Sequence, residues 1–144
     1  MVILSVDYGD VRTGVAVCDK LEMLASPVGV ITERDPDRLA GAVAKLCEEK
    51  RAEAIVLGLP KNMDGTEGFR AEAVRAFGEK LKERAGLPVV YRDERLTTVS
   101  AHAYLSMNDV RGKKRKNTVD AVSAVLILED YLGYRKLNKE KEKV

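Results

Sequence analysis

Apolar residues along the chain fall into short runs separated by turn chemistry, and the spacing within each run predicts its element. Val2 to Val6 is nearly continuously apolar and stops on Asp7. A run of that kind is expected of a central strand covered on both faces. Gly9-Asp10 supplies a turn, Thr13 to Cys18 returns as a second extended segment, and Leu24 to Ile31 forms a third after Asp19-Lys20. The three segments predict an antiparallel meander.

The period then changes to helical. Asp35-Pro36 is a helix opening, with Asp as N-cap and Pro in the first turn, and Leu39, Val43, Leu46 and Cys47 follow at helical spacing to an end near Lys50-Arg51. Ala54 to Leu57 predicts another buried strand, closed by Gly58-Leu59-Pro60 and a loop through Gly65. Thr66 can cap a helix carrying Val74, Phe77 and Leu81, which Gly86 terminates. Pro88 to Tyr91 predicts the fifth strand, leading into Arg92-Asp93-Glu94-Arg95, and Thr97 or Thr98 can cap a helix to about Leu105. Met107 to Asn117 reads as an exposed loop holding the densest charge cluster of the chain. A last helix, apolar nearly all round and so buried, is expected from about Thr118 to Leu132.

Three hairpin-linked strands followed by alternating helix and strand give an α/β fold with a mixed five-stranded sheet, strands 4 and 5 parallel to strand 1. That order is compatible with an RNase H-like architecture. Asp7, Gly58-Leu59-Pro60 and Asp93-Glu94 then converge at the carboxyl ends of parallel strands, where crevices of open α/β sheets form.

Composition narrows the class. With 144 residues the chain suits one domain, read as 1–135 followed by a charged, disordered tail at 136–144. Because 45% of residues are hydrophobic and 33% charged, wholesale disorder is excluded and a soluble globular protein expected. A net charge of +2 does not by itself indicate a nucleic-acid partner, so charge distribution must carry that argument. Cys18 and Cys47 lie in apolar patterns and read as small buried hydrophobes, consistent with a reducing cytoplasm. No basic leader precedes Asp7 and no stretch is long enough for a membrane span, so no membrane partner is expected.

Acids stand out at three places. Asp7 ends a buried strand, where a carboxylate loses hydration and needs a cation or several donors; a turn cap or a pair with Arg12 is the alternative. Asp93 and Glu94 are adjacent, so strand alternation lets only one face the crevice; Glu94 is favoured, with Asp93 supporting it, while salt bridges to Arg92 and Arg95 are the plainer reading. Asp120 opens the last helix, either as a helix-capping acid behind Asn117 or as a site acid beside the basic loop. Three convergent carboxylates suit hard divalent cations such as Mg²⁺ or Mn²⁺, and two such ions about 4 Å apart can hydrolyse a phosphodiester without a protein nucleophile. Arg111, Lys113, Lys114, Arg115 and Lys116 can engage phosphates through counterion release, although charge runs are often only solvated loops. Arg12 and Arg95 can orient a phosphate or pair within the site. His102, the single histidine, lies in a predicted helix and reads as a packing or surface residue.

These residues form a recognisable series. Asp7-Tyr8-Gly9, Arg12, Gly14 and Asp19, then Gly58-Leu59-Pro60, Asn62 and Gly65, then Asp93-Glu94-Arg95-Leu96-Thr97-Thr98, and finally Lys116 and Asp120 resemble, in order, the motifs of the YqgF/RuvX family. The resemblance implies an RNase H-like fold similar to that of the junction resolvase RuvC, with Asp7, Glu94 and Asp120 as the acidic triad. RuvC-like enzymes usually carry an acid near the end of the fourth strand; Gly58-Leu59-Pro60 stands there, so the acid after the fifth strand must substitute. The family is associated with maturation of the 5′ end of pre-16S ribosomal RNA, and its older label is junction resolvase.

Four functions follow as expectations. The leading one is a metal-dependent nuclease acting on a ribosomal RNA precursor, free or on the ribosome. A Holliday junction resolvase acting on branched DNA is the second, and it requires a homodimer rather than a monomer. A non-catalytic RNA-binding factor is the third, suggested by the missing fourth-strand acid. An actin-like phosphotransferase needs two such domains, and this chain holds one.

Overall fold

The computed structural model describes residues 1–62, 64–93 and 112–142, with side chains in the last segment from 121 to 139. The predicted helix over Thr97 to Leu105, together with Glu94, Arg95, His102 and Arg111, lies outside the described residues.

The meander forms as the apolar pattern requires: β1 (Ile3–Asp7), β2 (Arg12–Cys18) and β3 (Ala25–Thr32) pair antiparallel. Helix α1 (Pro36–Lys50) opens with the Asp35 carboxylate accepting from the Asp37 amide and closes on Arg51 in the left-handed region. β4 (Ala54–Leu59) and β5 (Val89–Asp93) run parallel to β1, and the sheet order is β3-β2-β1-β4-β5. Between β4 and β5 lies α2 (Phe69–Ala85), ending on left-handed Gly86. The chain then returns as α3 (Gly112–Glu142).

Helices cover both faces of this sheet. Leu4, Val6, Val15, Ile55, Leu57 and Leu59 pack with α1 and α2 on one side. Ile3, Ala16, Cys18, Ala54 and Val56 meet Ala124, Ile127, Leu128 and Tyr131 of α3 on the other. Strand alternation therefore decides the surroundings of every strand residue, including the acids. Both cysteines are buried free thiols, and burial pushes Cys47 up to about 11, far from a reactive thiolate. Among the described residues no helix is long and apolar enough to cross a membrane.

Three local expectations are corrected. Thr66 does not cap α2: the cap position is Gly68, without a side-chain bond, and the Thr66 hydroxyl is instead held by Asp64 at 2.6 Å and Asn62 at 2.9 Å. The basic segment expected as an exposed loop is helical from Gly112, because Lys and Arg are good helix formers and no proline interrupts them. Asn117 is consequently inside α3 and cannot be its N-cap. At the other end, α3 continues to Glu142 through the segment read as a disordered tail. Glu22, in the β2–β3 connection, takes Arg135 at 2.6 Å, Lys139 at 3.3 Å and the N-terminal ammonium at 2.9 Å, which ties that continuation to the body.

Candidate active site

Asp7 is the last residue of β1, half-buried, and shares its face with Ile3 and Ser5, so it is directed toward α3. On one side it lies opposite Gly14 of β2. On the other, Val6 pairs with Leu57, so the next residues along, Asp7 and Gly58, are neighbours. Both flanking positions are glycines, so neither neighbouring strand places a side chain of its own beside the carboxylate. In the sequence Gly14 counted only as a motif position, and Gly58 as part of the segment that closes the fourth strand at the crevice.

The register of α3 over this floor is set by one buried bond. Ser5 Oγ donates to the Ala124 carbonyl at 2.6 Å, with both residues fully or nearly fully buried. Met1 lies near the far end of the same helix through Glu22 and Arg135, so α3 runs antiparallel to β1. From Ser5 to Asp7 the strand advances about 6.6 Å. From Ala124 back to position 120 the helix retreats about 6 Å. The backbone at position 120 is therefore level with Asp7, about one turn before Ala124. Because α3 begins at Gly112, Asp120 stands about two turns inside the helix. The reading of Asp120 as a first-turn capping acid is thereby removed.

On β5, Gly58 pairs with Arg92 and Leu59 with Asp93. Arg92 faces α3, where its guanidinium meets Asp130 at 2.8 Å and stacks over Tyr134 at 4.7 Å. This engages one of the two arginines that the plainer reading assigned to Asp93 and Glu94. Asp93 is exposed and alternates onto the face of Val89 and Tyr91, opposite to that of Asp7. Arg12 alternates with Gly14 and Ala16 and so shares the α3 face with Asp7. Lys113, Lys114, Arg115 and Lys116 occupy the first turns of α3, at the end of the helix beyond Asp120.

The turn after Asp7 is held rigidly. A side chain at Gly9 would place its Cβ 1.9 Å from the Arg12 carbonyl oxygen, so only glycine closes this hairpin. Thr13 Oγ1 accepts from the Gly9 amide at 3.2 Å. Tyr8 stacks on Phe77 of α2 with centroids 4.4 Å apart. Arg70, also on α2, donates to the Tyr8 carbonyl and to Asp10, each at 2.6 Å. Arg70 was missed by sequence reasoning, since its partners are some sixty residues away. After β4, the Asn62 and Thr66 backbones bond at 2.8 Å and the Gly65 amide returns to the Asn62 carbonyl at 2.8 Å, which shows what the Asn62 and Gly65 motif positions do. They lock the loop leaving the sheet edge.

A mixed five-stranded sheet in this order, with β1, β4 and β5 parallel and helices on both faces, defines an RNase H-like fold. Solved structures agree: Thermus thermophilus RuvC in complex with a Holliday junction substrate superposes with a TM-score of 0.58 at 16% identity, over 92% of this chain and 96% of that one. The family model RuvX, described as Holliday junction resolvase, matches residues 1–134. A protein of Agathobacter rectalis named "Putative pre-16S rRNA nuclease" is 42% identical over 93% of this chain and 96% of its own length. One of the same name from Lactococcus lactis subsp. cremoris is 48% identical over 90% and 92%. The chain belongs to the RuvX (YqgF) family.

Proposed function

We propose that this protein is a metal-dependent nuclease that hydrolyses phosphodiester bonds of structured RNA, with the 5′ end of pre-16S ribosomal RNA as its substrate. Asp7, Glu94 and Asp120 form the acidic site. The observation that carries the reading is the half-buried Asp7 carboxylate facing α3 between Gly14 and Gly58, at the level of position 120. Relatives over 40% identical that are named for pre-16S rRNA cleavage support the substrate.

The donor chemistry fits a hard cation: the three residues offer only carboxylate oxygens, the set that Mg²⁺ or Mn²⁺ takes. Asp7, Glu94 and Asp120 would hold it, and when bound it supplies the positive charge that activates water and steadies the leaving oxygen. The remaining work belongs to the chain. Arg12, on the Asp7 face, and Arg95 orient the scissile phosphate. Lys113, Lys114, Arg115 and Lys116, with Arg111 before them, bind flanking phosphates. Asp93, on the opposite face, takes no direct part. No side chain of the protein has to form a covalent intermediate.

The test is cleavage of a precursor RNA by purified protein with Mn²⁺. Activity should vanish on chelation and fall by about three orders of magnitude in Asp7→Asn, as expected when a principal charge-stabilising group is removed. Undiminished cleavage by Asp7→Asn would overturn the assignment, and clean wild-type protein that binds RNA without any metal-stimulated turnover would instead make it a binding factor. A second reading, resolution of four-way DNA junctions, draws on the family description and the RuvC-like fold. Symmetric nicking of a synthetic junction at rates above those on the RNA would favour it.

A further inference from the structure

Helix α3 has a second surface that does not face the sheet. Glu129, Gly133, Lys136 and Leu137 are exposed, and helical spacing gathers them on one side. Two depressions flank Gly133. One, of about 480 Å³, is walled by Leu21, Met23 and Leu24 of the β2–β3 connection, with Glu129 and Lys136 across from them. The other lies between Arg92, Asp130, Tyr134 and Leu137. Leu21 is 81% exposed, Met23 79%, Leu24 64% and Leu137 60%. Scattered exposed leucines are ordinary, but a cluster bordering one helix ridge marks a contact surface.

Gly133 sharpens the argument. A Cβ there would meet nothing within 4 Å, and its backbone is not among those with positive φ. Neither packing within the chain nor conformation requires glycine at this position, where it costs about 1 kcal/mol against alanine. Close approach of another backbone is a reason for it.

Charge identifies the occupant. Glu129 lies four residues before Gly133 and Lys136 three residues after it, both on the same flank of the ridge. If a second α3 crosses antiparallel with a two-fold axis at Gly133, Glu129 of each copy falls beside Lys136 of the other. The pattern is complementary to itself, as an isologous interface demands. The same operation brings the two β2–β3 connections to one side of the helix pair.

We propose that the protein forms a two-fold dimer through antiparallel pairing of α3 about Gly133, with reciprocal Glu129–Lys136 contacts and Leu21, Met23, Leu24 and Leu137 covered at the contact. The apolar residues supply affinity, and the charges fix direction and register. Position 120 lies roughly 20 Å along the helix from Gly133, so the acidic end of each copy stays open. The proposal does not depend on the chemistry assigned to Asp7.

Sedimentation equilibrium of the full chain tests it, from micromolar concentration to about 0.1 mM. Wild-type protein should be a reversible dimer. Glu129→Lys and Lys136→Glu should each weaken association about tenfold or more by setting like charges together, and the double variant E129K/K136E should recover it. Leu137→Ser should also weaken it, with far-UV circular dichroism unchanged. A wild-type monomer across the range overturns the proposal. So does a dimer indifferent to both single reversals, or a folded double variant no tighter than the singles.

Discussion

Arg70 grips the chain immediately beyond Asp7: its guanidinium donates to the Tyr8 carbonyl at 2.6 Å while lying 5.2 Å from the centre of the Tyr8 ring. A second arm reaches Asp10 at 2.6 Å. Helix α2 thus fixes the turn that sets the direction of the strand end. The Arg70–Asp10 pair is substantially exposed and contributes little to stability. Arg70→Ala should therefore change the unfolding free energy by no more than about 1 kcal/mol. Cleavage should nevertheless slow about 10- to 100-fold, because small misplacements of a reacting group are costly. Arg70→Lys should recover little, lacking the fork that spans two acceptors. Single-turnover cleavage beside thermal melts checks this, and equal activity in all three proteins would remove Arg70 from any positioning role.

Gly14 lies directly across from Asp7. A Gly14→Val chain keeps a strand-forming residue there but puts a branched side chain beside the carboxylate, with an overpacking cost of about 1–3 kcal/mol. Mn²⁺ titration by calorimetry should lose its binding heat while the folded protein persists at low temperature. Binding that survives at wild-type affinity would mean that the glycine beside Asp7 is not needed for the metal.

Ser5 sets the register between β1 and α3 through its bond to Ala124. Ser5→Ala should cost about 1 kcal/mol in urea denaturation. Ser5→Val, which adds bulk at a fully buried position, should cost more and lower activity as well, since α3 would shift relative to Asp7. An active, fully stable Ser5→Val protein would contradict the anchoring role.

The Glu22 carboxyl is held well below the ordinary glutamate value. The Arg135 hydrogen bond, assisted by the N-terminal ammonium and Lys139, holds its carboxyl at about 2 against an ordinary 4.5. A depressed folded-state value means stability that is complete above the unfolded pKa and is lost as pH falls from about 4.5 through about 2. Wild-type protein should lose stability over that interval, and Glu22→Gln should be less stable at neutral pH by about 2 kcal/mol with a flatter acid limb. Denaturation at pH steps measures the difference; parallel acid limbs for the two proteins would refute it.

The basic start of α3 predicts a salt signature. Replacing Lys113, Lys114, Arg115 and Lys116 by glutamine should weaken RNA binding at low salt. The slope of log affinity against log salt should fall by about three, given roughly 0.7 per phosphate contact on single strands. Filter binding across a salt series reads this directly, and an unchanged slope would show that these side chains touch no phosphate.

Most of the scaffold was legible because its signals are local. The runs ending at Asp7, Cys18 and Leu59 alternate or stay apolar as buried strands must, Asp35-Pro36 caps α1, and Gly86 closes α2 in the left-handed region. The errors arose where two local signals competed and the less obvious one prevailed. Thr66 looks like a cap, yet Asp64 and Asn62 take its hydroxyl. A segment with five charges in six residues looks like a loop, yet Lys and Arg are good helix formers and α3 runs through it from Gly112 onward.

By itself, the amino-acid order determined the mixed sheet, the strand ends at Asp7 and Asp93 and the family, since periodicity, capping and motif spacing are written in neighbouring residues. Tertiary structure alone decided which faces Asp7 and Asp93 take, that Gly14 and Gly58 flank Asp7 across the sheet, and that Arg70, Glu22 and Ser5 clamp elements distant in sequence. Those relations depend on strand register and on the sliding of a helix over a sheet. Both are settled by packing between segments that carry no local mark of their partners.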